Sequence, residues 1–319
     1  MRTLLFILSS ACFFNALFCS SDAAARDACS VSLHVLGVAQ DGGKPQIGNP
    51  DDPAWTDPAL RRHATSLAIV DRRHERSRRW LFEATPDVKD QLQKLDQIAP
   101  SPGVPLDGVF LTHAHIGHYA GLMFFGHESM GAREIPVYTM PRMAEFLREN
   151  GPWSQLVKYK NIVITELRET GSVNLAQDVK VTPFLVPHRQ EFSEVVGYEI
   201  RVAANTVLFI PDIDSWEEWD ALGVRIEDRI ADVDIVYLDA TFFANGEIPG
   251  RDMTGFPHPF VSHSMARFAA LPADEKAKVQ FIHMNHTNPL LDPDAPERTV
   301  VAENGFDIAE EGDAICLAQ

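Results

Sequence analysis

From residue 31 onward, short apolar runs rich in Val, Ile and Phe alternate with polar loops, a rhythm that predicts many buried strands. The runs place strands at 31–38, 66–71, 80–83, 108–111, 135–139, 162–167, 179–185, 196–202, 206–210, 235–238 and 279–282. Helical spacing is clearest where Val88, Leu92, Leu95 and Ile98 follow Thr85-Pro86-Asp87, whose hydroxyl and proline suit a first turn. Further helices are predicted at 141–149, 215–222, 264–271 and 296–303. Residues 40–63, rich in Gly, Pro and Asp, predict one long surface loop, and long loops in compact chains tend to serve function. No repeat at solenoid spacing is present. Strands with helices between them predict an α/β chain whose sheets are covered by helices.

The first residues break this rhythm. Met1-Arg2 starts positive, residues 3–19 are nearly all apolar or small, and small residues collect at 20–25. That is the layout of a secretory signal, with a cut expected after Ala25 and a periplasmic or secreted mature chain. No later run is long and apolar enough to cross a bilayer. Only Cys29 and Cys316 then remain, and in an oxidising compartment they could tie the two ends together. The formal charge is −17, which repels polyanions and argues against a nucleic-acid partner. The one dense basic stretch, residues 72–79, lies between two strand runs and predicts a solvated hairpin tip.

The most specific chemistry lies in Thr112-His113-Ala114-His115-Ile116-Gly117-His118, at the end of an apolar run. Imidazole binds zinc, iron and similar ions near neutral pH. In extended backbone, residues two apart point the same way, so His113 and His115 can grip one ion together. His118, one turn further on, can face a second. More ligands are needed, and strand ends supply three candidates: His188, Asp212, and His283 within Ile282-His283-Met284-Asn285-His286.

This order of strand-terminal His and Asp resembles the metallo-β-lactamase superfamily, whose signature is His-x-His-x-Asp-His followed by a distant His, an Asp and a last His. The resemblance implies an αββα sandwich over residues 29–319, with metals at one edge. It implies that His113, His115 and His188 hold a first ion, that Asp212 bridges, and that His118 and His283 hold a second. His286, at the same strand end, is the rival to His283. The signature aspartate is Gly117 here. That departure implies a weakened second site, hence a single ion or a loosely held second one. Zinc is the expected cofactor, with iron as the other fit.

A narrower resemblance covers residues 31 to 317. Val35-Leu36-Gly37 leading to Asp41-Gly42-Gly43-Lys44-Pro45-Gln46, then Ala84-Thr85-Pro86-Asp87-Val88, look like the pyrroloquinoline quinone biosynthesis protein B family. So do Asp239-Ala240-Thr241-Phe242, the run from Ile282 to Leu291, and Asp294-Ala295-Pro296-Glu297-Arg298. The chain departs from that family where Ile47-Gly48-Asn49-Pro50 carries no cysteine cluster, and where His113 and His115 supply a pair that the family typically lacks.

Asp239 with Thr241 also resembles the Glu-Ala-Thr segment of the ribonuclease Z and phosphodiesterase branches, which partners a histidine opening a later helix. His263 suits that role because it precedes the helix predicted at 264–271; His258 aligns with a histidine of the quinone-biosynthesis relatives. Asp212, Asp239, and His263 or His258 are therefore the expected catalytic groups. Asp41, in a Gly-rich turn, either borders the cleft or is a plain turn aspartate. His34, His63, His74 and His127 carry no supporting pattern and read as structural or solvated.

Three functions follow. The first is an exported metal-dependent hydrolase of a small ester, phosphodiester or cyclic substrate. The second is a redox metalloenzyme or accessory protein of quinone-cofactor formation. The third is a non-catalytic binding protein on the same scaffold. β-Lactam hydrolysis follows from fold analogy alone.

Overall fold

Fourteen strands pair into two seven-stranded sheets in a computed structural model that describes residues 29–319. The expected signal segment, residues 1–25, lies outside the described residues. In the first sheet the order is β14 (Ala314–Ala318), β1 (Val31–Gly37), β2 (Ser66–Asp71), β3 (Arg78–Phe82), β4 (Gly108–Phe110), β5 (Ile135–Thr139), β6 (Ile162–Glu166). In the second it is β13 (Asp307–Ile308), β12 (Val279–Ile282), β11 (Ile235–Asp239), β10 (Asn205–Ile210), β9 (Val196–Val202), β8 (Val179–Leu185), β7 (Val173–Ala176).

Alternation along each strand decides which layer a side chain joins. In β2, Leu67 and Ile69 join the core between the sheets, with Tyr198, Ile200 and Phe209 of the second sheet. Ala68 and Val70 face the other way, onto Val88, Leu92 and Leu95 of the helix Val88–Ile98. The helix Val261–Arg267 covers the second sheet through Val261 and Met265. Two sheets between helices make the αββα sandwich expected of the sequence.

The strands missed by pattern are β7, β13 and β14, all at sheet ends and two to five residues long. Too few positions are present there for a period of two to register. Residues 40–63 are more built than a plain loop. Asp52 and Asp57 accept the N–H of Ala54 and Ala59, both at 2.9 Å, and each caps a short 3-10 turn opened by proline.

The basic stretch does form a hairpin tip, since β2 and β3 pair antiparallel. It is not simply solvated, however: Arg79 is buried against Asp96, and Arg73 and Arg76 pair with Asp71 and Asp107. These three guanidinium groups are held by carboxylates of the fold and are not left free to bind a polyanion.

Two devices fasten the chain ends. Cys29 and Cys316 form a disulfide beside the β1–β14 pairing, with their Cα atoms 5.7 Å apart. Nearby, Glu311 accepts the His63 N–H at 2.9 Å, sits 2.6 Å from His63 Nδ1 and pairs with Lys94. Burial opposes the Glu311 charge, but His63 and Lys94 outweigh it and hold the carboxyl at about 2, against an ordinary 4.5. The bond to Glu311 in turn raises His63 above 6.5. With the Glu311 value depressed, its stabilisation is present above pH 4.5 and is lost as pH falls toward 2. Seen from His63, whose value is raised, the same interaction is whole below 6.5 and fades as pH climbs through the raised value. Glu311→Gln should therefore cost on the order of 2 kcal/mol near pH 6 and almost nothing near pH 2. Urea midpoints at both pH values check this; an equal loss at both would exclude the ionic origin.

Candidate metal centre

The parallel strands β10, β11 and β12 are in register, Ile210 beside Leu238 and Asp239 beside Ile282. Asp212, Asp239 and His283, at or just past those ends, are thereby brought to one rim. The first sheet meets them there. Tyr198 Oη donates to the Leu111 carbonyl at 2.5 Å and Val196 N–H donates to that of Thr112 at 3.2 Å, pinning the segment that enters the histidine run. His115 stays extended, with φ −95° and ψ 143°, and caps the single turn Ile116–Tyr119 that carries His118.

The first cluster is His113, His115, His188 and Asp212, whose candidate ligand atoms all lie within 4.8 Å of one another. Asp212 Oδ2 is 3.4 Å from His113 Nε2 and 3.4 Å from His188 Nε2. His188 Nε2 is 3.1 Å from His115 Nδ1. Two donors bound about 2.0–2.1 Å from a tetrahedral ion stand roughly 3.3–3.4 Å apart, so these spacings suit ligands of one cation better than hydrogen bonds.

Four of the imidazoles have one nitrogen committed elsewhere, which aims the other inward. His113 Nδ1 meets Thr112 Oγ1 at 2.9 Å, and His115 Nε2 meets Glu191 Oε2 at 3.1 Å. His188 Nδ1 meets Asp214 Oδ1 at 2.7 Å, and His283 Nδ1 meets Thr241 Oγ1 at 3.1 Å. The inward atoms His113 Nε2, His118 Nε2 and His283 Nε2 are buried without a hydrogen-bond partner. Buried orphans of this kind are costly, and a cation would satisfy them together. The donor set therefore fits a metal.

Around the second cluster, Asp212 Oδ2 lies 3.5 Å and Asp41 Oδ1 lies 3.8 Å from His118 Nε2, with Asp41, His118 and His283 forming one candidate group. Glu83 Oε1 faces His118 Nδ1 at 3.5 Å. Burial works against a charge on His118, but Glu83 and Asp212 push it up to about 10. Burial keeps His113 and His283 low, and therefore neutral and able to ligate. Asp212 stays ionised despite burial because His258, His188 and His283 surround it. A cation entering the cluster would displace the His118 proton.

Of the two proton-donor candidates, the structure brings only His258 to the site. His258 Nδ1 is 2.7 Å from Asp239 Oδ2 and 3.1 Å from Asp212 Oδ1. Asp239 in turn accepts the N–H groups of Ile213 and Thr241 and the Thr241 hydroxyl. Burial opposes the His258 charge, and Asp239 and Asp212 overcome it and raise the imidazole well above its ordinary range. His263, the preferred candidate from sequence, is corrected. The helix begins at Val261, so His263 falls within its first turn, exposed beside Phe260.

His286 is corrected as well. The chain turns at His283, φ 68°, which leaves His283 in the cluster, while His286 stands under the influence of Asp52 and Lys44 in the 40–63 segment. Glu83, His258 and His283 all have positive φ without being glycine, and such conformations concentrate at functional sites. Sequence reasoning missed Glu83, Glu191 and Asp214. Asp214 was findable, two residues past Asp212, and Glu83 is a carboxylate closing an apolar strand.

A family model described as a beta-lactamase superfamily domain matches residues 78–291, more than half of the chain. Coenzyme PQQ synthesis protein B of Bradyrhizobium diazoefficiens is 27% identical over 320 residues, covering 89% of this chain and 98% of that protein. The crystal structure of Zn(2+)-bound PqqB from Methylobacterium extorquens is similar with a TM-score of 0.73 and 22% identity, over 89% of this chain and 99% of that one. A diphosphatase from the PhnP family gives 0.59 and 21%, over 89% and 96%. These likenesses agree with both resemblances read from the sequence, and the chain belongs to the beta-lactamase superfamily domain family.

Proposed function

We propose that this chain is an exported metal-dependent hydrolase that cleaves a small ester or phosphodiester with water. The observation that carries the reading is the convergence of His113, His115, His188 and Asp212 at ion-ligand spacing, beside the His258–Asp239 pair. Zinc is the cation favoured by the nitrogen-rich donor set, and the likeness to Zn(2+)-bound PqqB supports it. When bound, it supplies Lewis acidity and makes water nucleophilic near neutral pH.

The protein's own groups do the rest. The Asp212 carboxylate stands between the two histidine groups and can orient a water by accepting its hydrogen bond. Asp239 holds His258 through Nδ1, so proton exchange with the substrate falls to Nε2. A histidine so placed can protonate a departing alkoxide. The likeness to a PhnP-family diphosphatase supports a phosphoester over a carboxylic ester. Export is supported by the pattern of residues 1–25 and by the Cys29–Cys316 disulfide. Among the described residues no helix is long and apolar enough to cross a membrane.

Metal content of protein purified without added metal, followed by chromogenic phosphodiesters and esters, tests the reading. Zinc with metal-dependent turnover is expected; full turnover after chelation would sink it. Edman sequencing of protein recovered outside the cytoplasm should begin at Arg26, and an intact Met1 in the cytoplasm would refute export. The coverage of the PQQ synthesis relatives favours a second reading, a part in quinone-cofactor formation. Iron with oxygen consumption, and no hydrolysis, would select it.

A further inference from the structure

We propose that Asp41 supplies the carboxylate that the histidine signature lacks at Gly117, completing a second cation site with His118, His283 and Asp212. This rests on the metal-centre reading above and extends it to a ligand from a distant loop.

The central observation is steric. A Cβ built on Gly117 would stand 2.3 Å from Asp41 Oδ1 and 2.5 Å from Asp41 Cα. No side chain fits at 117 while Asp41 stays in place. The Asp41 carboxylate thus occupies the space into which a residue at the signature position would grow, and it approaches the same histidine, 3.8 Å from His118 Nε2.

Three further features agree. Asp41 has φ 39°, a conformation that aspartate tolerates better than most residues. Its carboxylate makes no hydrogen bond to its own turn among the described residues, so it is not the self-capping turn aspartate that composition suggests. His118 and His283 are both buried, 2% and 0% exposed, with Nε2 atoms that lack partners.

The loop is also fastened to the element that carries His283. Gln40 N–H donates to the Met284 carbonyl at 2.8 Å, Met284 N–H returns to Val38 at 2.9 Å, and Asn285 Nδ2 donates to Gln40 Oε1 at 2.5 Å. Asp41 and His283 are thereby held in a fixed relation. The weakened second site implied by Gly117 is offset from another part of the chain.

The test uses the full mature chain, stripped and titrated with zinc by calorimetry and elemental analysis. Wild type should hold two ions. Asp41→Gly, which relieves the left-handed backbone, should keep the first ion and weaken the second about 100-fold. Gly117→Asp alone should lower the melting temperature, because its side chain meets Asp41. Combined with Asp41→Gly it should regain only part of the lost melting temperature, because the 2.3 Å contact to the carboxylate goes while the 2.5 Å contact to the Cα of residue 41 remains. Two ions of unchanged affinity in Asp41→Gly would overturn the proposal, as would a wild type holding one ion, which leaves the first site standing. A wild type holding none would remove the metal-centre reading itself.

Discussion

Changing His113 and His115 together to alanine should abolish the first ion and lower kcat/KM by about 10³-fold or more, with the apo fold retained. Both imidazoles point into the cluster, and their removal takes away two of the four donors there. A lone His188–Asp212 pair cannot hold an ion in competition with buffer. The apo protein should lose little stability. His113 Nε2 is already a buried orphan, so the loss of packing is offset by removal of an unsatisfied polar atom. Ligand linkage gives the sharper readout. Zinc at 1,000 times the dissociation constant of the first site should stabilise wild type by about 4 kcal/mol through that site, a contribution the double variant should lose while keeping whatever the His118–His283 group adds. Melting curves with and without zinc, beside turnover, check both halves. A variant that gains as much stability from zinc as wild type would show that the first ion lies elsewhere.

That His113 and His115 share a target was legible in sequence because the information is local: two residues apart in extended backbone. His188, Asp212 and His283 were legible at one remove, as polar residues ending apolar strands. The choice between His283 and His286 was not, since it turns on the left-handed backbone at His283. Nor was the choice between His258 and His263, because a three-residue error in the helix start moves His263 from the cap to an exposed face. Asp41 lay furthest out of reach. Its meaning depends on the gap above Gly117, which exists only once β1 and the histidine turn are packed together.

The same limits explain which strands escaped. β14 pairs with β1 and is fastened there by Cys29 and Cys316, so its place is set by tertiary partners more than by its own pattern. Cysteine arithmetic pointed to that closure when periodicity did not. Non-local pairing also builds the rim. Glu83 follows β3 directly and faces His118 of the neighbouring segment, while Thr241 links Asp239 to His283 across two parallel strands. Substitutions at these supporting positions should act through the imidazoles they orient.

His258→Ala should lower kcat by about 10²- to 10³-fold with little change in KM, whereas His263→Ala should stay within about twofold of wild type. The first loses the group that Asp239 holds beside Asp212; the second loses an exposed ring against Phe260. Folding should survive His258→Ala, because Asp239 keeps the Ile213 and Thr241 N–H groups and the Thr241 hydroxyl as donors. Leaving-group dependence then separates proton donation from a merely structural role. A nitrophenolate departs as a stable anion and gains little from an acid, so its hydrolysis should suffer least. A methyl or other alkyl ester of the same phosphate departs as a strong base and needs the proton, so its hydrolysis should suffer most. A steeper dependence of kcat on leaving-group basicity in His258→Ala than in wild type is the expected signature. An equal loss across the whole series would mean that His258 only shapes the cavity, and the proton would have to come from solvent.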